Sequence, residues 1–188
     1  LGGLSPQIGP AKVAPGQHLA NVMAAVLVGP WWAMLVAFVA AVIRISVGTG
    51  TVLAFPGGMI GALGAGLAWR RTRRLGAAAT GEILGTGILG SLVSIFLVAP
   101  AFLTQSKVAE AARTLVDAAR SPDLLVPALA ALPRSPAALL MASFLASTVV
   151  GTSVGVVLLR ALDSGEIIEF DVDEYGLVHD HPHEFRRL

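Results

Sequence analysis

The charged residues of this chain gather in a few short segments, and the long stretches between them carry almost none. A helix in water needs a polar face along its length, and most of the helices this sequence can form lack one. Of the 188 residues, 55% are hydrophobic and 13% charged, with a mean hydropathy of +0.76; a soluble domain carries roughly 25% charged residues. The pattern predicts an all-α fold, a polytopic bundle of membrane helices in the cell membrane. A net charge of +1 points to no partner, and the absence of cysteine excludes disulfides, thiolate nucleophiles and Cys-based metal sites. There is no GxxxxGK[ST] phosphate loop, no HExxH and no GxSxG, so neither a nucleotide site, a cofactor nor an enzyme is expected.

Taken in order, residues 1–16 are rich in Gly and Pro and predict a loop. Leu19 to Val47 is 29 residues, about 43 Å as a helix, too long for one ordinary span and too short for two. It is either one kinked helix or two short ones, 17–28 and 31–47, turning at Gly29-Pro30. The Trp31-Trp32 pair favours the turn, because tryptophan prefers the membrane–water interface. Ser46 to Gly58 is an uncharged, Gly-rich interruption, either a site-lining segment or a short interfacial turn. Further spans are expected at 57–69, 75–102 and 137–162, giving five in all. Gly57, Gly61 and Ala65, then Gly81 with Gly85, then Gly151 with Gly155, are small-residue series suited to close helix packing. Ser143, Ser147, Thr148, Thr152 and Ser153 are available for interhelical hydrogen bonds. Residues 104–135 form a loop with an amphipathic surface helix over Ser106 to Arg120, ended and segmented by prolines. Residues 163–188 form a tail in which His179, His181 and His183 alternate; disorder is expected there rather than a metal site.

The cluster Arg70, Arg71, Arg73 and Arg74 marks a cytoplasmic loop rather than a nucleic-acid patch. Parity then puts the 104–135 loop outside and the tail inside. Residues 1–16, Arg44 and the Gly-rich GTG…FPGG segment fall outside as well. Lys12, Gln17, His18, Asn21 and Arg44 thus converge on the external face, beside or inside segments otherwise fit only for lipid. Polar side chains at that depth are costly and are usually kept for a pathway or a site.

Three separated stretches in order, KVAPGQHLANVMAAVLVGP, GTGTVLAFPGGMIGALGAGL and GEILGTGILG, resemble the ThiW family. These are the substrate-binding S components of energy-coupling factor (ECF) transporters, associated with uptake of the thiazole precursor of thiamine. The resemblance covers roughly Lys12 to Leu97, and the final helix more loosely. It implies a compact bundle of six membrane helices that captures its ligand near the outer face. It also implies a transmembrane coupling subunit and two cytoplasmic ATPase subunits as partners. The helix expected first is missing; an apolar segment upstream of Leu1, about 20 residues long, would supply it. The 104–135 loop and the His-bearing tail have no counterpart in the resemblance.

The ligand so implied, hydroxyethylthiazole, is small, flat and uncharged, with a ring-nitrogen acceptor, a hydroxyl and an aromatic face. Its site needs a few placed polar groups in an apolar setting. Gln17, His18 and Asn21 are the candidates for the polar contacts, His18 and Asn21 sharing a helix face at i and i+3. Phe55 competes with Trp31 or Trp32 for the aromatic wall, and Gly57 and Gly58 would let the backbone lie close over the ligand. Glu82 and Thr86, one turn apart, could complete the pocket, or Glu82 could pair with Arg44. The plainer alternatives stay open: His18 and Asn21 capping a helix, Arg44 snorkelling to headgroups, and Glu82 in a structural ion pair near its helix's cytoplasmic end. An ion-coupled secondary transporter using Glu82 and Arg44 is the competing function.

Overall fold

A computed structural model describes residues 7–8, 11–12, 14–103 and 105–163. Seven helices carry the architecture: α1 Pro15–Leu27, α2 Pro30–Ser46, α3 Phe55–Thr72, α4 Leu75–Phe102, α5 Lys107–Arg120, α6 Pro122–Ala131 and α7 Pro136–Asp163. Ahead of them, β1 (Gln7–Ile8) pairs antiparallel with β2 (Ala11–Lys12), a two-residue contact inside the segment expected to be loop. Val52–Thr72, a 3₁₀ turn plus α3, is long and apolar enough to cross a membrane, as are α4 and α7; α2 is apolar but shorter, at 17 residues. The His179–His183 segment lies outside the described residues.

Leu19 to Val47 resolves into two helices. Pro30 cannot donate the hydrogen bond a continuing helix needs, and its ring restrains the residue before it. Gly29 meets that restraint with φ 89°, a conformation that favours glycine. Pro30 then occupies the first helical position of α2, where a missing N–H costs nothing. Trp31 and Trp32 stand 60% and 64% exposed at this turn, consistent with an interfacial position. The α1–α2 hairpin returns the end of α2 to the start of α1.

Close helix approach follows from missing side chains. A Cβ on Gly85 would lie 2.7 Å from Gly61 Cα, and one on Gly81 would lie 2.5 Å from Gly64 O. The antiparallel α3–α4 pair therefore rests backbone on backbone, as small-xxx-small series permit. Over Ile83–Gly90 and Ser94–Val98, α4 widens to i→i+5 hydrogen bonding, a form that recurs at functional sites. Gly151 and Gly155 on α7 do for α1 what the α3 glycines do for α4: a Cβ at Gly151 would meet Pro15 O and the His18 Cβ.

The apolar core is divided. Val22, Trp69, Leu75, Ala78 and Leu159 close one end of the bundle, and Ala25, Ala33, Ala37, Ala62 and Ala65 fill the α1–α2–α3 seam. At the other end, Val108, Ala109 and Ala112 of α5 pack on Ile95 and Ala99 of α4 and on Ala137, Leu140 and Phe144 of α7. The amphipathic helix expected there thus roofs the bundle with its apolar face. Ser106 starts it, its hydroxyl accepting from Ala109 N at 3.1 Å. The following α6 forms in spite of Pro127.

Candidate functional site

The first turn of α1 delivers Gln17 and His18 inward, with Asn21 one turn below; they are 9%, 7% and 1% exposed. Across from them α4 presents Glu82, wholly buried, and Thr86 one turn on. Glu82 Oε1 gathers the set. His18 Nδ1 lies 2.9 Å from it, Asn21 Nδ2 donates to it at 3.0 Å, and Thr86 Oγ1 lies 3.1 Å away. Two backbone carbonyls of α3 share the donors: Asn21 Nδ2 reaches Gly58 O at 3.1 Å, and Thr86 Oγ1 donates to Gly57 O at 2.9 Å. Gly57 and Gly58 matter because no side chain intervenes. A Cβ on Gly58 would strike the Gln17 amide, and one on Gly61 would strike Thr86 Oγ1 and lie 2.7 Å from Glu82 Oε2. That second carboxylate oxygen is buried and has no hydrogen-bond partner among the described residues.

Arg44, in the last turn of α2, bends inward rather than out to headgroups. Its Nη1 donates to Gln17 Oε1, and its Nη2 to Thr49 O at 3.1 Å. Arg44 therefore meets neutral oxygens, and Glu82 pairs with His18 instead of with Arg44. Among the described residues no cluster of His, Asp or Glu is arranged to hold a metal ion.

Between these groups lies a cavity of about 20 Å³, lined by Ala14, Gln17, His18, Arg44, Ala54, Thr86, Phe144 and Ser147. That volume accommodates a water molecule. Six of the nine sequence candidates, Gln17, His18, Asn21, Arg44, Glu82 and Thr86, are joined by hydrogen bonds to one another or to Gly57 and Gly58, which are two more of the nine. Asn21 and Glu82 stand behind the cavity wall rather than on it. Phe55 sits apart, edge-on to Phe38 with ring centroids 5.3 Å apart. It lines a separate apolar cavity with Ile45, Val52, Pro56, Val98 and Phe102. Trp31 and Trp32 belong to the opposite end, with Trp69, Arg70 and Arg73. The aromatic ring on the polar cavity is Phe144 of α7, and Ser147 stands beside it. Neither is a candidate on sequence, since a serine and a phenylalanine in an apolar span carry no signal beyond helix packing.

Apolar helices around a small polar cavity near one end of the bundle, with several interior hydrogen bonds meeting on one carboxylate, define a multi-pass membrane protein. The chain belongs to the ThiW family: the family's sequence model, described as thiamine-precursor transporter protein, matches residues 3–118. No curated protein and no solved structure matches it. The family makes this a thiamine-precursor transporter protein of the membrane. The matched residues take in α1 to α4 and most of α5, whereas Phe144 and Ser147 lie beyond them.

Proposed function

We propose that this chain is the substrate-binding membrane subunit of an ATP-driven importer of the ECF type, and that its ligand is hydroxyethylthiazole. In this reading the loop of Arg70 to Arg74 faces the cytoplasm, and the polar cavity, at the opposite end, takes ligand from outside. A transmembrane coupling subunit and two cytoplasmic ATPases supply the energy. The observation that carries the reading is the meeting of Gln17, His18, Arg44 and Thr86 around one cavity in a chain of the thiamine-precursor family. His18 Nδ1 is engaged by Glu82, so Nε2 is left for the ligand; as a bare ring nitrogen it accepts the ligand's hydroxyl proton. Glu82, itself held by Asn21, fixes the imidazole from behind, as an orienting shell does in other sites. A water-sized gap is too small for a thiazole ring. Binding therefore widens the cavity.

The test is equilibrium binding of labelled hydroxyethylthiazole to the purified protein and to His18→Ala and Asn21→Ala. Both substitutions weaken binding if the assignment is right, and unchanged affinity in both sinks it. A second reading, ion-coupled secondary transport, is favoured by one feature: a fully buried carboxylate, Glu82, with an unpartnered oxygen. Uptake that stops on ATP depletion and survives collapse of the ion gradients supports the first reading; the reverse supports the second.

A further inference from the structure

We infer that Ser147 of α7 is a ligand-contacting residue that donates its hydroxyl proton to the ring nitrogen of the bound heterocycle. The inference rests on the reading of the cavity as the substrate site.

A serine inside a helix ordinarily returns its proton to a carbonyl one turn back. Two neighbours in α7 do this: Ser143 donates to Leu140 O at 2.7 Å and Thr148 to Phe144 O at 2.6 Å, whereas Thr152 makes no such bond but does not line the cavity. Ser147 makes no such bond either. Its oxygen accepts from the backbone N–H of Ala14 at 3.2 Å, and among the described residues its proton goes to no acceptor. The residue is 5% exposed and lines the cavity. A donor left free in a nearly dry place is costly unless something completes it.

The surroundings say what kind of group that is. Phe144, one helical turn before Ser147 in α7, lines the same cavity, and its ring edge stands 3.4 Å from where a Cβ on Gly57 would be. It brings an aromatic ring to the same cavity as the hydroxyl. Among the described residues no carboxylate lines the cavity: Glu82 is held behind His18 and Thr86. With His18 Nε2 an acceptor, a ligand that satisfies Ser147 and His18 together must carry one acceptor and one donor. A flat ring bearing a nitrogen lone pair and a hydroxyl has both. The contact also ties α7 into the site, because Ser147 holds the entry to α1 through Ala14 while it faces the ligand.

The experiment compares two ligands on four proteins by calorimetry: hydroxyethylthiazole and its thiophene analogue, in which the ring nitrogen becomes C–H, against the unaltered chain, Ser147→Ala, Ser147→Thr and Ser143→Ala. A direct hydrogen bond is worth about three- to tenfold in affinity. Ser147→Ala is expected to lose that factor toward the thiazole and to be indifferent to the thiophene. Ser147→Thr, which keeps the hydroxyl, retains the discrimination, and Ser143→Ala behaves as the unaltered chain. Equal losses on both ligands in Ser147→Ala mean that the hydroxyl serves only α1, which overturns the inference and leaves the substrate reading intact. Failure of the unaltered chain to bind the thiazole overturns both. Thermal unfolding of each variant identifies any that fail to fold. Should Ser147→Ala be one of them, the thiazole-to-thiophene ratio of Ser147→Thr decides: a ratio kept supports the inference, and a ratio lost in a folded variant overturns it.

Discussion

His18 on α1 and Glu82 on α4, 64 positions apart in the chain, meet at 2.9 Å through Nδ1 and Oε1, with the carboxylate wholly buried. His18 Nδ1 and Asn21 Nδ2 both rely on that one oxygen, so the pair fastens α1 to α4 as well as orienting the imidazole. Removing the carboxylate leaves His18 Nδ1 and Asn21 Nδ2 short of an acceptor in a dry interior. Glu82→Ala is expected to destabilise the protein by about 2–5 kcal/mol, from buried donors left unsatisfied and the space the side chain vacates. Glu82→Gln keeps an acceptor for Asn21 and His18 but turns an amide toward Gly61, and it is expected to cost about 1–3 kcal/mol. Chemical unfolding of the two variants in detergent checks the order; a Glu82→Ala variant as stable as the unaltered protein means the pair does not hold the helices.

The glycine seam between α3 and α4 gives an equally direct expectation. Gly85→Ala sets a Cβ 2.7 Å from Gly61 Cα and 2.9 Å from Ile60 O, atoms of backbone that cannot swing aside. The helices must part, at a cost of about 1–3 kcal/mol or more, as in other overpacked interiors. The parting also carries Thr86 away from Gly57 O, so ligand binding weakens with stability. Gly76→Ala is the control. Nothing lies within 4 Å of its Cβ position, and alanine there gains about 0.5–1 kcal/mol of helix preference. Thermal unfolding midpoints of the two variants should move in opposite directions.

Much of this was legible in the chain. Hydropathy gives α1 to α4 and α7 but not α6, Gly29-Pro30 gives the break between α1 and α2, and the spacing of Gly57, Gly61, Gly81 and Gly85 gives the seam. Polar residues stranded in apolar segments name Gln17, His18, Asn21, Glu82 and Thr86 as a group, because only mutual contact makes their burial tolerable. Their pairing was not legible. Glu82 could have met Arg44 as readily as His18 on charge alone. The choice depends on how far α4 slides along α3, which the glycine contacts fix only in three dimensions. Nor does sequence separate Ser147 from Ser143: both sit in one apolar span, and only the location of the cavity distinguishes them.

Arg44 separates structure from binding. The turn after α2 is held by backbone bonds, Thr49 N and Gly50 N to Arg44 O at 2.9 and 2.8 Å, and these survive loss of the side chain. Arg44→Ala therefore costs about 1 kcal/mol in stability, the scale of an ordinary hydrogen bond. Its effect on ligand is larger if the guanidinium faces the bound molecule, roughly tenfold or more for a charge-assisted bond. Hydrogen exchange over residues 48–54, measured beside ligand affinity, checks the split. A large rise in exchange with unchanged affinity assigns Arg44 to the loop alone.

Two phenylalanines offer themselves as the flat wall of the site, and they lie in different places. Phe144 lines the polar cavity against Gly57; Phe55 lines the apolar one and stands edge-on to Phe38 with an interplanar angle of 80°. Leucine at either position keeps most of the apolar volume and removes the planar face. Phe55→Leu forfeits the edge contact with Phe38, about 0.5–1.5 kcal/mol of stability, at a distance from the polar groups. Phe144→Leu is expected to weaken ligand binding several-fold, because the surface that a planar ring would stack on is gone while His18, Arg44 and Ser147 remain. Measured for hydroxyethylthiazole affinity in the same detergent, Phe144→Leu should lose more than Phe55→Leu. A larger loss of affinity from Phe55→Leu would place the ligand over the apolar cavity by Pro56 and Val98 instead.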